Sequence, residues 1–150
     1  MDLGQIMLDV LQDFKDHIGD SEFNDMPEIQ SWIKETDGNI HREAWCADSL
    51  NHFLKKHGLE GTGSPAAASF INWGVDIGDQ AVGGCVCVFQ WSGGSDAGGH
   101  HVCLADDDQD DTPDGRIACV GGNQSQAVSR VHFPVSDVLS FRMPSGYQTA

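Results

Sequence analysis

Three short stretches of the chain carry residue types that together could perform acyl transfer by a thiol. Cys46 stands in "AWCADSLNHFL", where the apolar residues that follow recur at helical spacing, so we predict it at the N-terminal end of a helix. The free N–H groups and the dipole at that end of a helix stabilise a thiolate. A histidine from "GGHHVCL" could act as general base, and Asn123 in "VGGNQS" could fix the tautomer of that histidine.

Each of these residues also has a purely structural interpretation. Cys46 could be a buried core thiol, because free cysteine packs as a small hydrophobe. His100 and His101 are neighbours in a predicted strand, so their side chains point to opposite faces and at most one of them meets Cys46. Asn123 follows two glycines, and "GGN" is also a plain turn sequence. Residue types and spacing leave these alternatives open.

Two carboxylates flank Cys46 and bear on its reactivity. Glu43 precedes it and Asp48 follows it, and a carboxylate near a thiolate raises the pKa of the thiol and weakens the nucleophile. Asp48 also falls in the first turn of the predicted helix, where a negative charge is favourable in itself. The sequence therefore leaves open whether Cys46 is a reactive or an unreactive thiol.

The other four cysteines raise the question of a metal site. Four thiolates can bind zinc tetrahedrally, but no C-x-x-C spacing occurs, and each cysteine lies in a run of Val, Ile, Ala or Leu. We therefore predict core thiols in place of a zinc site or a disulfide framework. The residues concerned are Cys85, Cys87, Cys103 and Cys119.

The acidic run from Asp106 to Asp114 places oxygen-bearing side chains at alternate positions, as a calcium loop does. Asp108, Asp110 and Thr112 are the members between its ends. Calcium requires six or more oxygen ligands, and no Glu closes this loop at the EF-hand spacing. We predict a solvated hairpin loop, and for the chain as a whole neither a metal nor a cofactor.

The elements that position these residues change character along the chain. Helical spacing of apolar residues predicts helices over 3–18, 26–36 and 46–58, and a short fourth helix is predicted within 61–74. After Gly83, short runs rich in Val, Ile, Phe and Cys predict an antiparallel sheet: "CVCVFQW", "HHVCLAD", "RIACV" and "DVLSFRM", with "AVSRVHF" as a further candidate. We predict one α+β domain over 1–150, with helices from about 1–74 packed on a sheet from about 84–144.

Composition excludes some classes of partner. The chain has 150 residues, and its 8 Lys plus Arg stand against 23 Asp plus Glu, for a net charge of -15. Such a chain lacks the cationic surface that nucleic acid or anionic lipid would require. The N-terminal sequence has neither a basic signal-peptide region nor an uninterrupted apolar stretch, so we expect a soluble protein that is made in the cytoplasm and does not insert into a membrane.

Three motifs in order resemble a known family. The segments "AWCADSLNHFLKKHGLEGTGS", "GGHHVCLAD" and "VGGNQSQAVSRVHFP", followed by "FRMP", are similar to the phage and bacterial cysteine hydrolases related to NlpC/P60 and CHAP domains. Members of that family typically read tryptophan-cysteine-alanine, then a GTGS turn, glycine-histidine-valine and GGNQ. The resemblance covers about residues 28–144, which is most of the chain.

The resemblance implies a papain-like α+β fold and a peptidoglycan hydrolase of the phage lysin type. The bond cleaved would be an amide, either in the stem peptide or between N-acetylmuramic acid and L-alanine. The family nucleophile falls on Cys46, the histidine on His101 and the polar residue on Asn123. Peptidoglycan is then the substrate, reached after release or as part of a virion with other phage subunits.

The chain departs from the family pattern at Ala44, where proline is usual, and at Asp48 and Ser49, where small apolar residues are usual. These departures leave two other functions open. One is a non-catalytic structural or interaction module of the same fold, such as a phage tail component. The other is a cysteine hydrolase that acts on a protein substrate.

Overall fold

The computed structural model describes residues 2–36, 45–94 and 97–148. Three α-helices come first: α1 (Leu3–Asp16), α2 (Met26–Lys34) and α3 (Cys46–Lys56). A 3₁₀ helix, Ala67–Asn72, leads to the strands. The strands are β1 (Val75–Asp76), β2 (Val86–Gln90), β3 (His100–Ala105), β4 (Arg116–Gln124), β5 (Ala127–Pro134) and β6 (Val138–Met143), and a 3₁₀ turn, Val135–Asp137, joins the last two.

The strands form one antiparallel sheet in the order β1-β6-β2-β3-β4-β5. The predicted α+β class is confirmed, since the helices precede a mostly meandering sheet. All five predicted strands are present, including the "AVSRVHF" candidate as β5. The sequence pattern missed the two-residue strand β1, and the predicted fourth helix is a 3₁₀ helix.

Helix α3 is the element that joins the helices to the sheet. It contacts β3, β4, α2 and α1, and its first six residues, Cys46 to Asn51, are all buried. Helix α1 supports it: Asp2 caps the start of α1 through the backbone N–H of Gln5, and Phe14 packs its ring on Phe53 of α3 at 4.4 Å. The nucleophile candidate therefore begins the most enclosed helix.

The sheet is curved at its β2 to β5 end. The rings of Phe89 in β2 and Phe133 in β5 have centroids 5.2 Å apart, although β3 and β4 lie between these strands. Side chains on this face of the sheet therefore converge. The four cysteines predicted as core thiols are confirmed as buried, and Cys87 stands opposite Cys103 across β2 and β3.

Two glycines in the "GGNQ" motif allow the close packing around β4. A Cβ on Gly122 would lie 2.3 Å from Ser49 Oγ and 2.7 Å from the Trp45 ring. A Cβ on Gly121 would lie 2.7 Å from Cys103 Cβ on the neighbouring strand. Since real Cβ atoms do not approach so closely, α3 can pack against β4 at this distance only when residue 122 lacks a side chain.

Gly122→Ala should therefore destabilise the protein, because the added methyl group must push α3 away from β4. We expect the free energy of unfolding to fall by about 1–3 kcal/mol, as for other overpacked sites. Gly93→Ala is the control, since a Cβ there meets nothing within 4 Å. Urea unfolding checks the difference, and equal losses in the two variants would refute this description of the α3 and β4 contact.

Candidate active site

Cys46 is the first residue of α3, as the sequence predicted. Its side chain is enclosed, with the residue only 3% exposed, and it forms part of the wall of a surface cleft of about 560 Å³. The preceding Trp45 anchors this end of the helix, because its indole N–H donates to Glu22 Oε1 at 2.5 Å. The backbone N–H groups of Ala47 and Val102 favour the thiolate form of Cys46 and lower its pKa.

The structure brings His101 to Cys46. His101 lies in β3 opposite Phe89, is 7% exposed, and lines the same cleft as Cys46, near enough that the thiol raises the pKa of the imidazole. His100 lies at the start of the same strand, opposite Gln90, and is partly exposed on the rim of the cleft. Of the two histidines it is thus His101 that forms the pair with the thiol.

The electrostatics of the pair favour charge separation. Burial raises the pKa of the Cys46 thiol, but the facing His101 ring and the N–H groups of Val102 and Ala47 outweigh burial and hold that pKa below its ordinary value. Burial lowers the pKa of His101, but Cys46 and Gln124 outweigh it and hold that pKa above its ordinary value. Opposite shifts of this kind stabilise a thiolate and an imidazolium together.

The polar partner of His101 is Gln124, a residue that the sequence reasoning missed. Gln124 Oε1 lies 2.9 Å from His101 Nε2. The Gln124 amide nitrogen donates to Ser129 O at 2.7 Å and to Cys119 O at 3.3 Å, so the amide oxygen is the atom turned to the ring. His101 Nε2 is therefore the donor to Gln124, which leaves Nδ1 to face the thiol.

The structure places Gln124, and not the predicted Asn123, against the His101 ring. The β3 and β4 register, with Ala105 opposite Cys119, would place residue 123 across from His101 if the ladder stayed regular. A bulge between Gly121 and Gln124 and a left-handed φ of 56° at Asn123 shift the strand by one residue. Asn123 instead lines the cleft, partly exposed.

The turn that follows Gln124 is also unusual. Ser125 and Gln126 have φ values of 58° and 62°, which makes a two-residue hairpin turn built without glycine. The backbone N–H of Glu22 donates to Gln126 O at 3.0 Å, and Glu22 also binds Trp45. Glu22 thus links the hairpin that carries Gln124 to the start of the helix that carries Cys46.

Asp48 does not face the thiol. Its carboxyl group is buried and hydrogen-bonds with the Thr36 hydroxyl, and burial raises the pKa of Asp48 to about 6. A carboxyl group in this setting is partly protonated near neutral pH, which weakens any effect on Cys46. Glu43, the other carboxylate that flanks Cys46, and Ala44, which stands where proline is usual, lie outside the described residues.

The walls of the cleft are neutral. Among the described residues that line it, none is Lys, Arg, Asp or Glu. Trp91, Phe133 and Val131 supply its apolar surface, and Asn123 and Ser125 supply polar groups beside the Cys46, His101 and Gln124 cluster. The arrangement can hold an uncharged polar group, such as an amide, against the thiol.

Three thiols lie beneath the site without facing the cleft. Burial raises the pKa values of Cys87 and Cys103 well above the ordinary value. Hydrogen bonds from Cys103 and Cys87 lower the pKa of Cys119. All three are buried, and only Cys46 among the five cysteines lines the cleft, so reagents in solution reach Cys46 in preference to them.

The acidic loop between β3 and β4 is organised by cations from the protein itself. Asp106, predicted as solvated, is buried, and it pairs with Lys15 at 2.6 Å and Arg130 at 2.5 Å. Burial raises the pKa of Asp106, but these two cations outweigh it and bring that pKa to about 2. Arg130 also binds Asp111 at 2.7 Å, so these carboxylates serve ion pairs.

One group of potential metal ligands occurs among the described residues: His17, Asp20 and Glu28. It lies at the end of α1 and the start of α2, and none of its members lines the cleft. The thiol and imidazole of the cleft therefore lie apart from this group.

Comparisons of the chain with protein-family models, with curated proteins and with solved structures find no match. Within 2–36, 45–94 and 97–148, no helix is both long enough and apolar enough to cross a bilayer. What the site can do must therefore be argued from its own geometry.

The role of Gln124 is testable without a substrate. In the wild type, iodoacetamide should alkylate Cys46 at pH values below the ordinary thiol range near 8.5. Gln124→Ala removes the hydrogen bond that supports the charged His101, so we expect alkylation at neutral pH to slow about tenfold. The measurement is the rate of alkylation against pH, by mass spectrometry.

Asn123→Gly is the matched control, because glycine keeps the left-handed backbone at that position. It should leave the pH dependence of alkylation close to that of the wild type. Slower alkylation in Asn123→Gly than in Gln124→Ala would return the role to Asn123. Cys46→Ala gives the background from the buried thiols.

Proposed function

We propose that the protein is a cysteine hydrolase that cleaves amide bonds, with Cys46 as the nucleophile. The observation that carries the proposal is that Cys46 at the start of α3, His101 and Gln124 line one cleft, where Gln124 Oε1 lies 2.9 Å from His101 Nε2. A nucleophile, a base and a group that orients the base form the arrangement that thiol-based acyl transfer needs. The cleft beside them gives the substrate access.

The reaction would proceed in two steps. The Cys46 thiolate attacks the amide carbon, and the backbone N–H at the start of α3 stabilises the oxyanion that forms. His101, already protonated, donates its proton to the leaving amine as the C–N bond breaks and a thioester remains. A water molecule then gives a proton to His101 and attacks the thioester, which releases the acid and restores the thiolate.

We also propose that the fold is papain-like. In support, the nucleophile begins a helix that packs on an antiparallel sheet, and the histidine and its amide partner come from adjacent strands of that sheet. The chain order of cysteine, histidine and polar residue agrees with the resemblance to NlpC/P60 and CHAP hydrolases.

For the substrate we propose peptidoglycan, with cleavage of a stem-peptide or muramoyl-alanine amide, as in a phage lysin. The support is the resemblance of the "WCAD", "GHHV" and "GGNQ" segments, each of which supplies a residue that lines the cleft. A protein of net charge -15 is repelled by an anionic wall at low ionic strength. Action in a saline setting, or delivery by another virion subunit, removes that obstacle.

The test is digestion of purified sacculi by the wild type, Cys46→Ala and His101→Ala, with mass spectrometry of the released fragments. We expect new amine and carboxyl ends from the wild type and a loss of at least about 10³-fold in both variants, because nucleophile and base act as a unit. Cys85→Ala, which removes a buried thiol that does not line the cleft, is the control. Equal release by wild type and Cys46→Ala, or none by either, would refute the proposal.

The pH dependence of hydrolysis should follow the two shifted groups. Hydrolysis requires Cys46 as thiolate and His101 as imidazolium, so the rate should rise through the lowered pKa of Cys46 and fall through the raised pKa of His101. We expect a bell-shaped kcat/KM profile with its rising limb below the ordinary thiol range of about 8.5. A rising limb at that ordinary value would contradict the ion pair.

A further inference from the structure

Three aromatic rings enclose the ring of His101. Trp91 stacks on it at a centroid distance of 5.6 Å and an interplanar angle of 22°. Phe133 is tilted by 59° at 5.4 Å, and Phe89 by 41° at 6.3 Å. Trp91 is therefore the ring that presents its face to the imidazole.

Trp91 is itself held in place. Its backbone N–H donates to Gly99 O at 2.9 Å, and its carbonyl accepts from the N–H of Gly98 at 2.8 Å, so it extends the β2 and β3 pairing beyond the strands. Its ring also stacks on Phe89 at 5.6 Å and lies 5.4 Å from Phe133. Trp91 is partly exposed and lines the cleft together with His101.

We propose that Trp91 is a positioning residue that keeps His101 protonated and fixes its plane between Cys46 and Gln124. The face of an indole ring is the strongest partner among the aromatic side chains for a cation, and the interaction strengthens where water is excluded. A tilted phenyl ring offers less of its negative face. The role in catalysis rests on the proposed function, whereas the effect on the imidazole does not need a substrate.

The other groups around His101 are consistent with this assignment. Cys46 acts on the ring from α3, Gln124 binds Nε2 from β4, and the Cys119 thiol of β4 is near enough to act on its charge. Cys46 and Cys119 are the titratable groups that act on the ring, and both favour its charged form. Trp91 adds a neutral aromatic face that favours the same form.

The experiment compares Trp91→Phe with Trp91→Leu and Trp91→Met by ¹⁵N NMR titration of the histidine rings. Loss of the aromatic face should lower the pKa of His101 by about 0.5–1.5 pH units, and alkylation of Cys46 at neutral pH should slow about threefold to tenfold. Trp91→Phe should keep both the pKa of His101 and the rate of Cys46 alkylation close to the wild-type values, because a phenyl face remains. Cys46→Ala identifies the share of the titration that comes from the thiolate.

Two results would overturn the proposal. An unchanged His101 titration in the folded Leu and Met variants would show that the face of Trp91 has no effect on the charge. Equal shifts in Phe, Leu and Met variants would show that only the bulk of the indole matters. If the titration shifts as expected but sacculi stay intact, the peptidoglycan function fails and the role of Trp91 stands.

Discussion

The close packing of α3 on β4 at Gly122 is the constraint on which the site depends. With no side chain at residue 122, Trp45 and Ser49 of the helix lie directly against the strand. This contact sets the distance between the start of α3, where Cys46 stands, and the sheet that carries His101. Gly121 lets Cys103 of β3 approach β4 in the same way, so α3, β3 and β4 pack closely together. This packing brings Cys46 and His101 into the same cleft.

Burial disfavours the charged form of Cys46 and the charged form of His101, and the two side chains offset this cost for each other. A buried thiolate and a buried imidazolium are both unfavourable alone, yet each lowers the cost of the other. Gln124 satisfies the remaining ring nitrogen and is itself held by the carbonyls of Ser129 and Cys119. The protein carries a net charge of -15, but the described residues that line the cleft include no Lys, Arg, Asp or Glu. In the acidic loop, Lys15 and Arg130 form ion pairs with Asp106.

Much of this arrangement could be predicted from the sequence, and the rest depended on local geometry. Cys46 at the start of a helix and His101 in a strand followed from periodicity and from the resemblance, because both signals are regular over many residues. Gln124 could not be chosen over Asn123, because a single bulge in β4 decides which of two adjacent residues faces His101. The contact of Asp48 with Thr36 and the burial of Asp106 depend on side chains distant in sequence, which no local pattern encodes.

The chemistry proposed for the site requires that Cys46 be a thiolate stabilised by His101. Its most direct test is the ultraviolet absorbance of the thiolate against pH, taken as the difference between wild type and Cys46→Ala, so that the buried thiols cancel. We expect one thiolate to form below the ordinary thiol pKa of about 8.5, and this step to move upward in His101→Ala. A difference spectrum that shows no thiolate until the ordinary range, or a step that is the same without His101, would contradict the account.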